Sequence, residues 1–411
     1  MNRIDSRYVT VAACALCTAL ILSVFIVFPI WVPDWKADFH KGVGDIELIF
    51  SGSGVLMALT MAGVGWLLTR TPVWQVVVIG GLVMGGGLIL ASTLTSYVAF
   101  AALYVVTVGI GVAFASSLPC QTLGVRLFPS RVGTIGGVLM VALSIASIIL
   151  PPFLTQVKDA IGWRSALAAT GAALAIIVPL LAIGFMRVPA DPGGAGQEKG
   201  ARGSMGWMVR TAGFWIIVVG AIPMFATPTA VLANITPFLA DRGVVHQQAS
   251  YVISIYTFGA LIGSALWGLV ADRFGPRLVA ALDSILMALL LAALTGVHGL
   301  VPSALALVAL GVTAGGIHPL LSALVGRQYR DNFAPALGLI SLFMLPYMLA
   351  PALFGFLRDR TGSYSMTFLS AAAALVAGGL ILSRLKAPAP AAGSKEHADA
   401  TPDHLAASAR I

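Results

Sequence analysis

The sequence predicts an all-α integral membrane protein, built from twelve transmembrane helices in two pseudo-symmetric six-helix bundles. Three observations predict this fold: twelve long apolar stretches, a composition with 58% hydrophobic and only 10% charged residues, and an internal repeat. Such a composition lies far outside the range of soluble domains. Most stretches reach the roughly 20 apolar residues that a bilayer-spanning helix needs. In chain order they are 8–32, 47–68, 74–92, 97–125, 132–156, 163–186, 209–239, 248–270, 278–296, 301–325, 333–356 and 364–384.

The internal repeat relates the two halves of the chain at an offset of 200 residues, as from Pro119 to Pro319. Prolines, a basic–acidic pair and a glycine all stay in register. The matched positions are Pro119 with Pro319, Pro151 with Pro351, Lys158-Asp159 with Arg358-Asp359, Gly162 with Gly362, and, one residue out of step, Arg126 with Arg327. Halves of the same topology are a known transporter architecture, with the substrate site between them at mid-depth in the membrane. The repeat therefore predicts a transporter.

Composition and charge divide the chain into four segments. Residues 1–187 form an N-terminal six-helix bundle, 188–207 a Gly- and Pro-rich cytoplasmic linker, 208–386 a C-terminal six-helix bundle and 387–411 a disordered cytoplasmic tail. With both termini in the cytoplasm, seventeen of the 24 Lys and Arg residues lie on the cytoplasmic side, as the positive-inside rule requires. We therefore predict a multi-pass protein of the inner (plasma) membrane. The Arg, Ala and Gly usage favours a bacterial source.

Other classes of function are excluded by the residue types present. Orientation in the membrane explains the net charge of +8, so no nucleic-acid partner is needed. Cys14, Cys17 and Cys120 lie inside apolar stretches, where they pack as small hydrophobic residues, and no His accompanies them at metal-ligand spacing. The stretches hold neither paired carboxylates nor a Ser–His–Asp set. We expect no enzyme activity, cofactor or metal. A monomer suffices, because one chain holds both bundles.

A short loop between the eighth and ninth stretches carries a family resemblance. The run from Gly268 to Arg277 resembles the signature loop of the major facilitator superfamily: a glycine, an acidic–basic pair, a second glycine and a basic residue. The matching residues are Gly268, Asp272, Arg273, Gly275 and Arg277. The resemblance implies the major facilitator fold. It also implies a gating role, in which Asp272 pairs with a basic helix end such as Arg327.

The equivalent N-terminal loop, residues 65–72, departs from this pattern. Thr69 stands at the acidic position and the second glycine is missing, so Arg126 loses its expected partner. This departure keeps open one alternative function, that of a non-transporting membrane sensor with the same fold.

Four further segments resemble the monocarboxylate and oxalate–formate branch of the superfamily. They are Gly162-Trp163-Arg164, Pro189–Gly193, Pro237–Gly243 and Asp359–Tyr364. The branch implies a small organic anion or similar polar solute as substrate, moved by alternating access across the lipid bilayer. The eighth stretch contains no Arg or Lys to bind an anion, so this substrate class comes from the resemblance alone. Drug export is a second alternative, weakened because Pro151-Pro152 replaces the Gly-Pro pair usual in the exporters.

The resemblance also implies that the first, fourth, seventh and tenth stretches line a substrate cavity. Prolines interrupt the last three, and helices broken at matched points indicate a binding region. His318 is the sharpest candidate, because an imidazole can accept a proton near neutral pH and then attract an anion. The alternative is a neutral His that packs on a neighbouring helix; for Asp283 we expect a structural partner. Candidates for the substrate and proton pathway are His318, Gln121, Asn234, Ser117, Tyr256 and Tyr347.

Overall fold

The computed structural model describes residues 6–68, 70–128, 132–187, 206–297, 299–329 and 333–385, and these are helical apart from short connections. Twelve spans are long and apolar enough to cross a membrane, which confirms the predicted count. Most of the predicted linker and the whole predicted tail beyond residue 386 lie outside the described residues. The last two linker residues, Gly206 and Trp207, begin a short helix.

The helices fall into a first group, α1–α7, and a second group, α8–α15. The first group comprises α1 Ser6–Phe39, α2 Val43–Leu67, α3 Val73–Ser92, α4 Tyr97–Ala115, α5 Ser117–Leu127, α6 Val132–Ile161 and α7 Trp163–Phe185. The second comprises α8 Gly206–Val209, α9 Ala212–Ala240, α10 His246–Phe274, α11 Pro276–Gly296, α12 Leu300–Gln328, α13 Phe333–Phe343, the 3₁₀ helix Leu345–Leu349, α14 Ala350–Thr361 and α15 Tyr364–Ser383. The fourth span is α4 with α5, and the eleventh is α13, the 3₁₀ helix and α14.

Two spans are broken, and they are not the pair that the repeat suggested. The fourth span breaks at Ser116, just before Pro119, as expected. The tenth span, α12, continues through Pro319, and the seventh, α9, continues through three prolines. The expectation was wrong for those two because a proline removes one hydrogen bond, which a long helix can absorb by bending. The eleventh span breaks into the 3₁₀ helix at Pro346, which the sequence analysis did not anticipate.

The repeat appears in the structure as two equivalent ion pairs. Lys158 Nζ lies 2.6 Å from Asp34 at the end of α1, and Arg358 Nη2 lies 2.6 Å from Asp241 at the end of α9. The first span of each group is thus tied to the fifth span of the same group. Four residues beyond each cation, Gly162 and Gly362 have φ of +78° and +71°, a left-handed conformation that favours glycine.

The buried member of these pairs gives a stability prediction. Lys158 is only 3% exposed, whereas Asp34 is 30% exposed. We expect Asp34→Asn to destabilise the protein by about 3 kcal/mol, because a buried ammonium would lose its counter-charge. Thermal unfolding in detergent measures this. Asp38→Asn is the matched control on the same helix, since its partner Arg164 is 34% exposed, and should cost under about 1 kcal/mol. Equal losses for both variants would contradict the assignment.

Small residues let α10 and α12 of the second group approach each other closely. Gly263 of α10 lies against the Val312 carbonyl, and Gly315 of α12 lies against the Ala260 carbonyl. A Cβ at either position would overlap that backbone oxygen. Close backbone approach at small residues is the usual basis of helix association in membranes, where no hydrophobic force drives it.

The two groups meet at one end of the bundle, called here the closed end, where α2 begins and α14 ends. Intergroup packing joins α1 to α9, α2 to α14 and α6 to α10. At the opposite linker end, the principal packing partners of α5 and α13 all belong to their own groups. The described helices are therefore in contact at the closed end, while the linker ends of spans 4 and 11 stand apart.

Candidate functional site

An aromatic cluster links three elements of the second group around His318. The His318 ring packs edge-to-face on Phe225 of α9 at 5.1 Å, and Phe225 contacts Tyr347 at 5.5 Å. Tyr347 lies in the 3₁₀ segment that breaks the eleventh span. His318 is solvent-exposed although it lies inside α12. Two predicted residues, His318 and Tyr347, thus both pack on Phe225 beside a helix break, and the imidazole retains exposed surface.

On the first group, Ser117 and Gln121 lie in α5, just past the other break. Both are half-buried, and neither side chain hydrogen-bonds to a described residue. The hydroxyls of Ser116 and Thr18 beside them are buried and have no hydrogen-bond partner in the described part of the chain. The amino-terminal end of α5 carries partial positive charge within the span. These side chains could hydrogen-bond to a polar ligand. No contact among the described residues joins them to His318.

Asn234 and Tyr256 occupy other places than the cluster. Asn234 is 1% exposed; its amide nitrogen donates to the Pro351 carbonyl at 3.3 Å, and its oxygen accepts from the Tyr364 hydroxyl at 3.0 Å. These bonds tie α9, α14 and α15 together. Tyr256 is 4% exposed, and its backbone carbonyl lies against Gly311. In this conformation Asn234 is a tie between helices.

The signature loop turns at its second glycine. Gly275 has a φ of +87° between α10 and α11, whereas Gly268 lies within α10 and a Cβ there would meet nothing within 4 Å. Of these two glycines only Gly275 is therefore required, because its left-handed backbone conformation favours glycine. Asp272 is exposed and pairs with no basic side chain of the described residues, while the Arg327 guanidinium lies beside Gly275. The predicted Asp272–Arg327 latch is not formed in this conformation.

A cavity of about 280 Å³ lies under the same loop at the linker end. Arg277 and Arg327 line it together with Gln328 and Ser383, and Arg277 donates to the Leu385 carbonyl at 2.8 Å. Arg273 lies outside it, over the ring of Phe274 at 5.7 Å. Arg277 thus holds the end of α15 near the turn, and Arg327 places the end of α12 beside it.

Arg126 has a different partner from the acidic one its family position implies. Its Nη2 donates to the Leu68 carbonyl at 3.1 Å, at the carboxyl end of α2. A cation at that end of a helix is favourable, because the last carbonyls there carry partial negative charge. Thr69, the predicted departure from the motif, lies outside the described residues.

Sequence analysis missed Glu47, which is 0% exposed and whose carboxylate oxygens have no hydrogen-bond partner among the described residues. The second apolar stretch was drawn from residue 47, which placed this charge at its edge. Helix α2 begins at Val43, so Glu47 lies inside the span. Its apolar neighbours Ile46 and Leu48 were the available indication. Asp283 is buried and unpartnered in the same way, so the structural partner expected for it is not found among the described residues.

Three of the four segments that resembled the monocarboxylate branch meet around the closed end. Asp241 pairs with Arg358, and Asp359 accepts from the Gly44 backbone N–H at 2.8 Å across the two groups. Nearby, Arg242 donates to the Leu294 carbonyl at 2.8 Å, and burial lowers the pKa of its guanidinium. The segment 189–193 lies outside the described residues. The polar residues of these segments thus hold helix ends together.

Twelve spans in two packed groups, with a glycine-turned loop after the eighth, define a membrane transporter. The chain matches the family model described as Major Facilitator Superfamily over residues 12–244 and 217–409. It belongs to the major facilitator superfamily. Two solved structures share the fold, each at 14% sequence identity. The nucleoside transporter NupG (D323A mutant) matches with a TM-score of 0.77, covering 92% of this chain and 99% of that one. An inward-facing, unoccupied bacterial homologue of the human lysosomal transporter Spinster matches with a TM-score of 0.71, covering 93% of this chain and 95% of that one.

Curated relatives confirm the resemblance to the monocarboxylate branch. Human monocarboxylate transporter 11 is 28% identical over 385 residues, which cover 88% of this chain and 79% of the relative. Rat monocarboxylate transporter 2 is 25% identical over 342 residues, with 75% and 68% covered. These relatives are transporters, in agreement with the expectation that the chain is not an enzyme.

Proposed function

We propose that the protein is a secondary active transporter that moves a small organic anion of the monocarboxylate class by alternating access. The observation that carries this proposal is the distribution of contacts between the two groups. They touch at the closed end, while the principal packing partners of α5 and α13 at the linker end belong to their own groups. Rocking of two such groups about a site between them is the usual working mode of this architecture.

The substrate class rests on the relatives and on the chemistry of the exposed residues. Curated relatives named as monocarboxylate transporters cover most of the chain. Beside the two helix breaks, His318, Tyr347, Gln121 and Ser117 offer hydrogen-bond donors without a carboxylate among them. Such a site suits a small solute with one negative charge. Hydrogen-bond donors placed at broken helices are a recurrent way to hold substrates within the membrane.

His318 is the residue that we assign to proton coupling at this site. A protonated imidazole attracts an anion, and a neutral one releases it, so proton and substrate would move together. Its exposure inside a span gives the ring access to water. Phe225 holds the ring edge-on and so limits its orientation.

The same proposal includes an orientation of the protein in the membrane. We place both termini and the linker end in the cytoplasm of a bacterial cell, in the plasma membrane, because most Lys and Arg then lie inside. The closed end then faces outward. Both groups belong to one chain, so a monomer can perform the cycle.

Uptake of labelled monocarboxylates into proteoliposomes, with and without an inward proton gradient, tests the function. We expect saturable uptake that the gradient accelerates. In His318→Ala the acceleration should fall by about tenfold or more, the size of a typical coupling between two ligands. His40→Ala, which removes an exposed histidine outside the cluster, is the control and should behave as the wild type.

Three outcomes would count against parts of this proposal. Gradient-driven uptake that survives His318→Ala rejects the coupling role and leaves transport intact. Binding of monocarboxylates without flux favours a sensor. Transport of hydrophobic cations in place of anions favours drug export.

A further inference from the structure

Glu47 occupies the surface where the two groups meet. The residues Gly44, Glu47, Ser51 and Gly54 recur at steps of three and four, so they share one face of α2. Gly44 N–H binds Asp359, and Ser51 Oγ accepts from the Ala352 N–H at 3.4 Å. A Cβ at Gly54 would approach the sulfur of Met348 to 2.7 Å. Glu47 therefore lies in the contact of α2 with the second group, between two residues that are bonded across it.

No charge of opposite sign compensates this carboxyl. It interacts electrostatically with Tyr364 of the second group, and neither of its oxygens has a hydrogen-bond partner. Arg358, the cation of α14, is engaged by Asp241 and Asp359. The other titratable or charged groups on or at the ends of elements packed against α2 are Asp45 of α2 itself and Arg70 after it; Arg7, Tyr8, Cys14, Cys17, Asp34, Lys36 and Asp38 of α1; His40 and Lys41 between α1 and α2; Tyr97 and Tyr104 of α4; Cys120 and Arg126 of α5; Arg210 before α9 and Asp241 and Arg242 after it; Tyr347 of the 3₁₀ helix; and Asp359 and Arg360 of α14.

An ionised carboxylate in such a place would be very unfavourable, because burial of a charge without a partner removes its hydration with nothing in return. The closed contact is compatible only with the neutral acid. Once the groups separate, the same face of α2 meets water, and the carboxyl can ionise by releasing its proton there. Closing the contact again requires one proton to be taken up from the water on that side.

We propose that Glu47 is a proton-binding residue of the transport cycle, protonated whenever the closed end is shut. The proposal deepens the proposed function and rests on its alternation between two states. It differs from the role of His318, since Glu47 acts on the movement of the groups and has no contact with the proposed substrate region. Raising the pH should therefore favour the open form of the closed end, and lowering it should favour the shut form.

A distance measurement across the closed end tests this without any substrate. Spin labels are attached at Thr95→Cys and Arg360→Cys, two exposed positions on opposite groups; the native Cys14, Cys17 and Cys120 are buried and should not react. In wild-type background the open fraction should rise with pH, by up to about tenfold per pH unit for a single linked proton. In Glu47→Gln, which is neutral at every pH, the distance should show no dependence on pH.

Asp283→Asn is the matched control. Asp283 is an equally buried, unpartnered carboxyl, but its helix α11 packs chiefly on α12, α15 and α10 within its own group. Its removal should leave the pH response unchanged. A label distance that does not change with pH in the wild-type background overturns the proposal. This test does not require any Glu47 variant to fold. A pH response that persists in Glu47→Gln overturns it as well.

Transport assays keep this proposal separate from the proposed function. Glu47→Gln should still exchange labelled for unlabelled monocarboxylate if a site exists, but should lose accumulation driven by the proton gradient. Full gradient-driven accumulation in Glu47→Gln overturns the role of Glu47 and leaves the transporter assignment standing. A Glu47-dependent distance change in a protein that moves no monocarboxylate refutes the proposed substrate class and supports the proton site.

Discussion

Gly263→Ala is expected to abolish the folded protein or to lower its stability severely. The new Cβ would overlap the Val312 carbonyl oxygen, and this neighbour is backbone, so no side chain can rotate away. Overpacking by a methyl group typically costs about 1–3 kcal/mol, and a backbone clash between two helices belongs at or above the top of that range. The yield of monodisperse protein in detergent and its unfolding temperature measure the effect. Gly315→Ala, against the Ala260 carbonyl on the same seam, should behave alike.

Gly268→Ala is the control for this prediction. It lies on the same helix α10, and a Cβ there meets nothing within 4 Å. Its unfolding temperature should match the wild type or rise slightly, since alanine favours a helix more than glycine does. If Gly263→Ala and Gly268→Ala are equally stable, the close approach of α10 and α12 is not as the structure shows.

Gly355→Ala is expected to stop transport while leaving the fold intact. Its Cβ would come within 2.6 Å of the Gly44 Cα across the two groups, so α14 and α2 would have to move apart at the closed end. A cost of about 1–3 kcal/mol would fall on the shut state alone, and each 1.4 kcal/mol lowers its population about tenfold. Transport should fall accordingly, and the unfolding temperature should change little because the contacts inside each group remain.

Gly63→Ala provides the comparison, because it lies on α2 near the linker end with nothing within 4 Å of its Cβ. It should transport at the wild-type rate. The distance between labels at positions 95 and 360 should lengthen in Gly355→Ala and stay unchanged in Gly63→Ala. Wild-type transport by Gly355→Ala would show that the shut contact is not needed in the cycle.

The fold was largely predictable from the sequence, because hydrocarbon imposes strong rules on what can cross it. Length and hydropathy predicted all twelve spans. The repeat matched Lys158-Asp159 with Arg358-Asp359 before their partners were known, and the structure shows both cations bound to the end of the first span of their own group. Side-chain chemistry at fixed spacing was sufficient for these inferences.

The site was less predictable, because its features depend on how helices pack. Whether a proline breaks a helix is decided by neighbours that can satisfy the freed carbonyl, so Pro119 lies beside a break and Pro319 does not. Asparagine is a common residue in binding sites, yet the Asn234 amide is hydrogen-bonded to Pro351 and Tyr364. Glu47 was overlooked because its burial comes from the second group, more than 300 residues away along the chain.

All five ion pairs among the described residues join helices or neighbouring residues within one group, and none bridges the two. What holds the groups together includes four hydrogen bonds: Gly44 to Asp359, Ala352 to Ser51, Ser254 to Ile148 and Thr257 to Ser147. Bonds of this kind contribute about 0.5–1.5 kcal/mol each, or somewhat more where a charged group takes part. Each group is thus stabilised internally by ion pairs, whereas the two groups are held to each other more weakly. A ligand shifts the equilibrium between the shut and open forms only by as much as its affinity for them differs. Because the two groups are held together weakly, the differential affinity of a solute of few atoms is enough to shift that equilibrium.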